Sequence, residues 1–293
     1  MERSPGEQPR VNLARPAHRL LIASALALMG VGALVTAVGV QVIRIQARIA
    51  RRAIGKPLGE DAHMADKAYK KKYGAQVELL LLGDSIAAGL GADKPKHTLG
   101  AQLAKGVAKA THRSVRLHTA AQVGSETSML RTQLVGLPPR YRPHVAVIVV
   151  GGNDVTHRVK ASESIRHLRE AVETLTQQGT AVIVGTCPDL GALAALPQPL
   201  RQLARIASRQ LADAQRDLTL RLGGGVVSLA DVVGPVFVSQ PEEMFAIDRF
   251  HPSSTGYRRT AEAIVPSVLD ALGQAQESPS GHGCRTAATQ FRR

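Results

Sequence analysis

Two segments far apart in the chain carry the residue types of a hydrolytic site. Ser85 follows an apolar run and the dipeptide Gly-Asp, and His251 lies in the segment Asp-Arg-Phe-His-Pro that begins at Asp248. A histidine can take the proton of a serine hydroxyl, and a carboxylate three residues earlier can hold the imidazole in the required tautomer. The pattern predicts Ser85 as nucleophile, His251 as general base and Asp248 as the residue that orients it. Taken alone, Ser85 could instead cap a helix and His251 could be a turn residue.

The same chemistry needs hydrogen-bond donors for the negative charge that develops on the carbonyl oxygen. Asn153 lies in Gly-Gly-Asn-Asp after a second apolar run, and Gly124 lies in Gln-Val-Gly-Ser. Side-chain amides and backbone N–H groups both stabilise an oxyanion, and a glycine lets the backbone approach a substrate closely. We therefore expect Asn153, Gly124 and the Ser85 N–H to form an oxyanion hole. Both loops also have ordinary turn composition, so a structural role stays open for each.

Other kinds of site lack the spacing that they require. The second residue after Ser85 is alanine, so the Gly-x-Ser-x-Gly elbow of α/β-hydrolases is missing. A nearby Gly-Leu-Gly lacks the third glycine of a dinucleotide loop, and the histidines form neither a His-Glu-x-x-His motif nor a zinc cluster with cysteine. We expect no cofactor and no metal. Cys187 and Cys284 could form a disulfide, but two unpaired thiols are the simpler expectation.

Apolar runs alternate with amphipathic helical segments through the middle of the chain. The runs are short and continuous, as expected for strands buried on both faces of a parallel sheet. They are residues 77–82, 145–150, 181–185 and 226–229. The alternation predicts an α/β fold, a three-layer α/β/α sandwich with a parallel sheet, over residues 77–272. Ser85 and Asn153 each follow such a run, and ligands bind at the carboxyl ends of the strands in these sheets.

The N-terminal part of the chain has a different character. After a basic segment of residues 1–19, residues 20–43 are uncharged and mostly apolar, which is about the length that crosses a bilayer as a helix. We predict an uncleaved single-pass transmembrane helix. A cleavable signal peptide and a buried soluble helix are the alternatives. Arginines flank the run on both sides, so the charges give almost no information about orientation.

The formal net charge of +14 points to an anionic partner. Much of the excess lies in residues 44–76, which we interpret as a basic juxtamembrane linker. No helix-turn-helix, zinc-finger or aromatic RNA-binding motif accompanies these charges, so we expect an anionic membrane surface as partner and no nucleic acid. Residues 273–293 lack apolar periodicity and are predicted to be a disordered tail. The sequence does not fix the oligomeric state.

The segments around Ser85, Gly124, Asn153 and His251 together resemble the SGNH, or GDSL, hydrolase family, whose four name letters map onto these residues, with Asp248 completing the triad. The resemblance covers residues 77–272 and extends, more weakly, to exported esterases of actinobacteria. It implies a flavodoxin-like sandwich and a metal-independent serine esterase. Its substrate would be a small ester, a lipid or an acylated glycan.

Two other functions fit the same resemblance. One is an acyltransferase or deacetylase that acts on envelope sugars or lipids with the same site, and the other is a non-catalytic binding module. The family's habit of acting on cell-envelope esters implies that the catalytic domain is extracytoplasmic. One departure concerns Gly124, because the family commonly has an asparagine a few residues before this glycine and this chain has Ala-Ala-Gln-Val.

Overall fold

The chain forms two compact units, residues 1–49 and residues 50–293. The structure is a computed structural model that describes residues 36–49, 52, 58–59 and 61–277, with side chains as far as residue 273.

In the first unit, the described residues 36–49 form one helix, α1. Within the described ranges no helix is both long and apolar enough to cross a membrane. The basic segment 1–19 and residues 20–35 of the predicted transmembrane helix lie outside those ranges, as do residues 278–293 of the predicted tail.

The second unit is built on a six-stranded sheet. In chain order its strands are β1 (Ala68–Tyr69), β2 (Gly74–Gly83), β3 (Arg113–Thr119), β4 (Val145–Val149), β5 (Ala181–Gly185) and β6 (Gly225–Val227). Across the sheet the order is β1-β3-β2-β4-β5-β6, and every pairing is parallel except that of β1 with β3. The chain moves from β2 outward to β3 and then back across to β4. This reversal opens a crevice at the carboxyl ends of β2 and β4.

The leucine run of β2 is buried on both faces of the sheet. Leu79 and Leu81 belong to one apolar cluster, and Leu80 and Leu82 belong to the other. Successive strand side chains point to opposite faces, so a strand covered on both faces needs apolar residues at every position. This requirement explains why residues 79–82 of β2 and all of β4 and β5 are continuous apolar runs in the sequence.

Helices cover both faces of the sheet. In chain order they are α2 (Ser85–Ala88), α3 (Leu99–Thr111), α4 (Leu130–Val135), α5 (Gly152–His157), α6 (Ala161–Gln177), α7 (Leu200–Arg221), α8 (Leu229–Val232), α9 (Gly234–Ser239), α10 (Pro241–Met244) and α11 (Ser254–Glu277). Buried residues of α3 and α11 pack in the cluster with Leu79, and those of α4, α6 and α7 pack in the cluster with Leu80. The unit is therefore an α/β/α sandwich with a mostly parallel sheet.

Four elements differ from the sequence analysis. β1 and the first residues of β2 lie within the range 44–76 that the sequence assigns to the linker, and α11 continues to Glu277. β3 is not predicted, because its sequence Arg-Ser-Val-Arg-Leu-His-Thr contains no continuous apolar run. β3 is a strand because its backbone pairs with β2 and β1, and the local sequence does not reveal this pairing.

Candidate active site

Ser85 begins α2 at the carboxyl end of β2, where the chain turns sharply. Gly83 has a φ of +131°, and a Cβ placed there would lie 1.8 Å from the carbonyl oxygen of Val149, so no other residue fits. The Asp84 side chain caps α2 by accepting a hydrogen bond from the Ile86 N–H at 2.9 Å. The local sequence thus fixes the Ser85 side chain at the carboxyl edge of the sheet.

A continuous chain of hydrogen bonds joins Ser85, His251 and Asp248. His251 Nε2 lies 2.9 Å from Ser85 Oγ, and His251 Nδ1 lies 2.6 Å from Asp248 Oδ2. With its proton on Nδ1, a neutral imidazole donates to the carboxylate and presents a lone pair to the serine hydroxyl. This arrangement can remove the hydroxyl proton as Ser85 attacks a carbonyl carbon.

The Asp248 carboxylate is held in its charged form although the residue is only 5% exposed. Burial by itself raises the pKa of Asp248, but hydrogen bonds from the His251 ring and from the backbone N–H groups of Phe250 and His251 outweigh it, so the pKa is lowered. Near neutral pH the Asp248 carboxylate is therefore ionised and accepts a hydrogen bond from the Nδ1–H group of His251.

Asp84 adds a second buried carboxyl next to the reactive serine. Burial and the nearby Asp154 carboxylate raise the pKa of Asp84, whereas the N–H groups of Ile86 and Gly152 and the His251 ring lower it, and the net result is a pKa of about 6. The group is still mostly ionised at neutral pH, so it keeps its role as an acceptor for the first turn of α2.

Asn153 lies in the first turn of α5, just after β4. Its Nδ2 donates a hydrogen bond of 2.9 Å to the carbonyl oxygen of Ser125. A side-chain amide has two N–H groups, and the described residues supply no acceptor for the second one. The amide is thus oriented by one bond, with a donor left for a ligand beside Ser85.

Gly124 lies in the loop after β3, on the other side of Ser85 from β4. Its φ is +82°, and a Cβ placed there would meet nothing within 4 Å. The loop is held to the strand end, because the Gln122 N–H donates to the carbonyl oxygen of Gly83 at 3.1 Å. The exposed backbone at Gly124 is therefore open to a bound molecule, and the positive φ favours glycine there.

An apolar cavity adjoins Ser85 on the side of β5 and β6. We call it the β5–β6 cavity. Ser85, Ile86 and Asn153 line it beside the reactive serine, together with the carboxyl-bearing residues Asp84 and Asp189. The rest of its lining is mostly apolar and comes from the segment after β5, from α8 and α9, from the segment that precedes α11 and from α11 itself: Pro188, Leu190, Leu193, Leu229, Val233, Phe237, Phe245, Phe250 and Thr260. A few polar groups in a mostly apolar lining are typical of small-molecule sites.

Comparison with known proteins decides the family. The model of the GDSL-like lipase/acylhydrolase family matches residues 81–259, more than half of the chain. The GDSL-like esterase Rv1075c of Mycobacterium tuberculosis is 36% identical over 227 residues, which cover 74% of this chain and 71% of that protein. This chain belongs to the GDSL-like lipase/acylhydrolase family. It is an ester hydrolase.

Solved structures agree with this family at the level of the fold. The lipase Lip_vut3 from a goat rumen metagenome superposes with a TM-score of 0.54 at 18% identity, covering 65% of this chain and 97% of the lipase. The acetylxylan esterase Axe2 of Geobacillus stearothermophilus gives a TM-score of 0.53 at 20% identity, covering 67% of this chain and 96% of the esterase. The stretch that the GDSL family model matches contains all five residues singled out in the sequence.

The structure of this GDSL hydrolase adds Gln133, which the sequence analysis does not identify. Gln133 is buried in α4, and its side chain accepts from the Gly83 N–H at 2.9 Å and donates to the Gly83 carbonyl at 2.8 Å. The same Nε2 lies 3.2 Å from Ser125 Oγ. Gln133 thus joins the strand end that precedes Ser85 to the loop that carries Gly124.

Two further buried side chains of the GDSL hydrolase, Gln215 and Asp154, join separate segments near the carboxyl ends of the strands. Gln215 of α7 donates to the Val150 carbonyl at 2.9 Å and accepts from the Cys187 N–H at 2.7 Å, so it joins β4 to β5. Asp154 accepts from the Thr127 N–H at 3.0 Å and from Ser164 Oγ at 2.6 Å. Nothing in the local sequence separates these buried groups from exposed ones.

Cys187 is a free thiol at the end of β5 with no exposed surface. Burial raises its pKa well above the usual value, and the carboxylates of Asp84, Asp154 and Asp189 raise it further. The thiol stays protonated and out of reach of a substrate, while Cys284 lies outside the described residues. Across residues 61–277 no group of three or more His, Cys, Asp or Glu residues could hold a metal ion.

Proposed function

We propose that this ester hydrolase works through an acyl-enzyme intermediate on Ser85. The observation that carries the proposal is the hydrogen-bonded chain from Ser85 Oγ through His251 to Asp248, with distances of 2.9 and 2.6 Å. Ser85 Oγ attacks the ester carbonyl as its proton passes to His251 Nε2. His251 then returns that proton to the departing alcohol, and Asp248 stabilises the imidazolium between the two steps.

The negative charge on the carbonyl oxygen needs donors in place before the reaction. In the proposed mechanism the Ser85 and Gly124 backbone N–H groups and the second N–H of Asn153 form the oxyanion hole. The bond from Asn153 to the Ser125 carbonyl at 2.9 Å supports this role, because it fixes the amide plane. Water, activated by His251, then attacks the acyl-enzyme and releases the acid.

Substitution of the general base tests this function. Purified His251→Ala should lose about 10²–10⁴-fold in kcat on p-nitrophenyl acetate, the contribution that is typical of general acid–base catalysis. His167→Ala is the matched control, because His167 lies on α6, where its ring nitrogens are 3.6 Å from Glu170 and 2.9 Å from Arg166, and it does not line the β5–β6 cavity. Equal activities of the two variants would overturn the proposed mechanism.

We further propose that residues 20–43 anchor the enzyme as a single-pass transmembrane helix, with the catalytic domain on the extracytoplasmic side. The length of the uncharged run supports the anchor. Residues 44–76 would then lie along anionic headgroups, where each cation adds up to ~1 kcal/mol of attraction. Attachment of this kind would keep Ser85 close to esters in or on the cell envelope.

A further inference from the structure

Several residues that line the β5–β6 cavity are almost inaccessible to solvent. Leu229, Phe237 and Thr260 are 2%, 7% and 3% exposed, so the cavity is closed where they line it, and we call this part its floor. The Phe237 ring meets the Phe245 ring edge-on at a centroid distance of 5.0 Å, which fixes the wall. The Thr260 hydroxyl is already used in a hydrogen bond within α11. The floor therefore offers a ligand only apolar contact, which suits a hydrocarbon chain.

The opposite side of the reactive serine is open. In the sheet, β3 and its Gly124 loop lie on one side of β2, whereas the residues that follow β5 and β6 lie on the other. Gly124 is exposed, with free space around it. An ester bound at Ser85 thus has one substituent directed into a closed apolar cavity and the other directed toward solvent.

The order of the chemical steps decides which half of the ester occupies the closed side. The alcohol leaves first, while the acyl group stays bonded to Ser85 until water attacks. An alcohol on the open side can diffuse away directly into solvent. An alcohol in the closed cavity would have to pass the acyl group that is still bonded to Ser85. The closed cavity therefore fits the acyl group, and the open side fits an alcohol of any bulk.

The cavity also limits the length of that acyl group. Its volume is about 70 Å³, which is small beside a long fatty acyl chain, since a single water-sized group already needs roughly 10–15 Å³. We infer that the β5–β6 cavity binds the acyl chain of the ester and accepts short aliphatic chains rather than long fatty ones. This inference rests on the proposed acyl-enzyme mechanism and adds its substrate class.

Two neighbouring valines give a matched pair of variants. Val233 lines the cavity and is 8% exposed, whereas Val232 is 57% exposed and does not line it. Val233→Phe should lower kcat/KM for p-nitrophenyl hexanoate at least about tenfold relative to the acetate, because the ring occupies the space of the chain end. Val232→Phe should leave the ratio of hexanoate to acetate at the wild-type value.

Phe237→Ala gives a second test that removes bulk from the floor. This variant should raise kcat/KM for p-nitrophenyl octanoate relative to p-nitrophenyl butanoate. A cooperative thermal unfolding transition shows for each variant that the protein is folded. A parallel series keeps the acetyl group and varies the alcohol. Val233→Phe and Phe237→Ala should leave the ratios of kcat/KM between the alcohols of that series at their wild-type values, whatever they do to the absolute rates.

The possible results distinguish a failure of the acyl-site inference from a failure of the proposed acyl-enzyme mechanism. If both cavity variants alter the dependence on the alcohol and leave the dependence on the acyl chain unchanged, the cavity binds the alcohol and the inference is overturned. A wild-type activity that rises steadily to dodecanoate would overturn it as well. If folded wild-type enzyme forms no acyl-enzyme with any ester of either series, the proposed mechanism itself fails.

Discussion

The Asn153 side chain combines a structural hydrogen bond with a proposed catalytic one. One N–H of its amide is used by the Ser125 carbonyl, which leaves the other for the oxyanion. Asn153→Ala should therefore lower kcat about 10²–10³-fold, the usual effect of deleting one such donor, with little change in KM. Steady-state kinetics on p-nitrophenyl acetate measure both constants. A change confined to KM would show that Asn153 only helps to bind the substrate.

Some residues of the site can be predicted from the sequence and others cannot. Ser85, Asp248 and His251 are predicted as one group because their residue types and spacing are particular, and the structure places them within hydrogen-bond distance. Gln133 and Gln215 cannot be predicted in this way. A glutamine in a helix is usually exposed, and only the tertiary structure shows that these two are buried. Their partners lie 50 and 65 residues away in the chain, at Gly83 and Val150.

At the scale of elements, β2 and the β3–α4 loop meet through the buried Gln133 amide. Gln133→Met leaves the Gly83 N–H without a partner and removes one of the two donors to the Gly83 carbonyl, which keeps its bond from the Gln122 N–H. It should lower the free energy of unfolding by ~1–3 kcal/mol. It should also lower kcat roughly tenfold or more, because the loop with Gly124 loses its attachment through Ser125 and small displacements in a site are costly. Urea unfolding and ester hydrolysis measure the two effects.

Gln215→Met is the matched control for that variant. Gln215 is equally buried and joins β4 to β5, but it does not contact the loop that carries Gly124. We expect a similar loss of stability with a smaller loss of kcat. If the two variants lost kcat equally, the effect of Gln133 would be a general consequence of instability, and its proposed positioning role would be wrong.

The strands show what sequence patterns can and cannot predict. Apolar runs locate β2, β4 and β5, because burial on both faces leaves little room for polar side chains, and a shorter apolar run locates β6, which is only partly buried. The two-residue β1 and the polar β3 are not located in this way, since their position depends on pairing at the outer side of β2. The failure to predict β3 matters for the site, because β3 leads into the loop that carries Gly124.

At the scale of the whole molecule, the chain joins a folded hydrolase to a basic N-terminal region with a long apolar run. If residues 20–43 are the membrane anchor, the full-length protein should stay in the membrane pellet after a high-salt wash. Protease added to intact cells should remove the catalytic domain, since we place it outside the cytoplasm. Immunoblots of pellet, wash and treated cells follow both outcomes.

Two results would contradict that placement. Release of the protein by salt would mean that the basic residues of 44–76 hold it by charge alone, because screening weakens such attraction. Survival of the domain until the cells are broken would put Ser85 in the cytoplasm. Neither result would affect the proposed chemistry at Ser85.

The central claim, that Ser85 is the nucleophile, is tested most directly by covalent labelling. A fluorophosphonate reacts with an activated serine by losing fluoride, and peptide mass spectrometry identifies the modified residue. We predict one adduct per chain, located on Ser85. A folded Ser85→Ala variant should form no adduct and should hydrolyse esters at least about 10³-fold more slowly. An adduct on another residue, or wild-type turnover by Ser85→Ala, would contradict the mechanism.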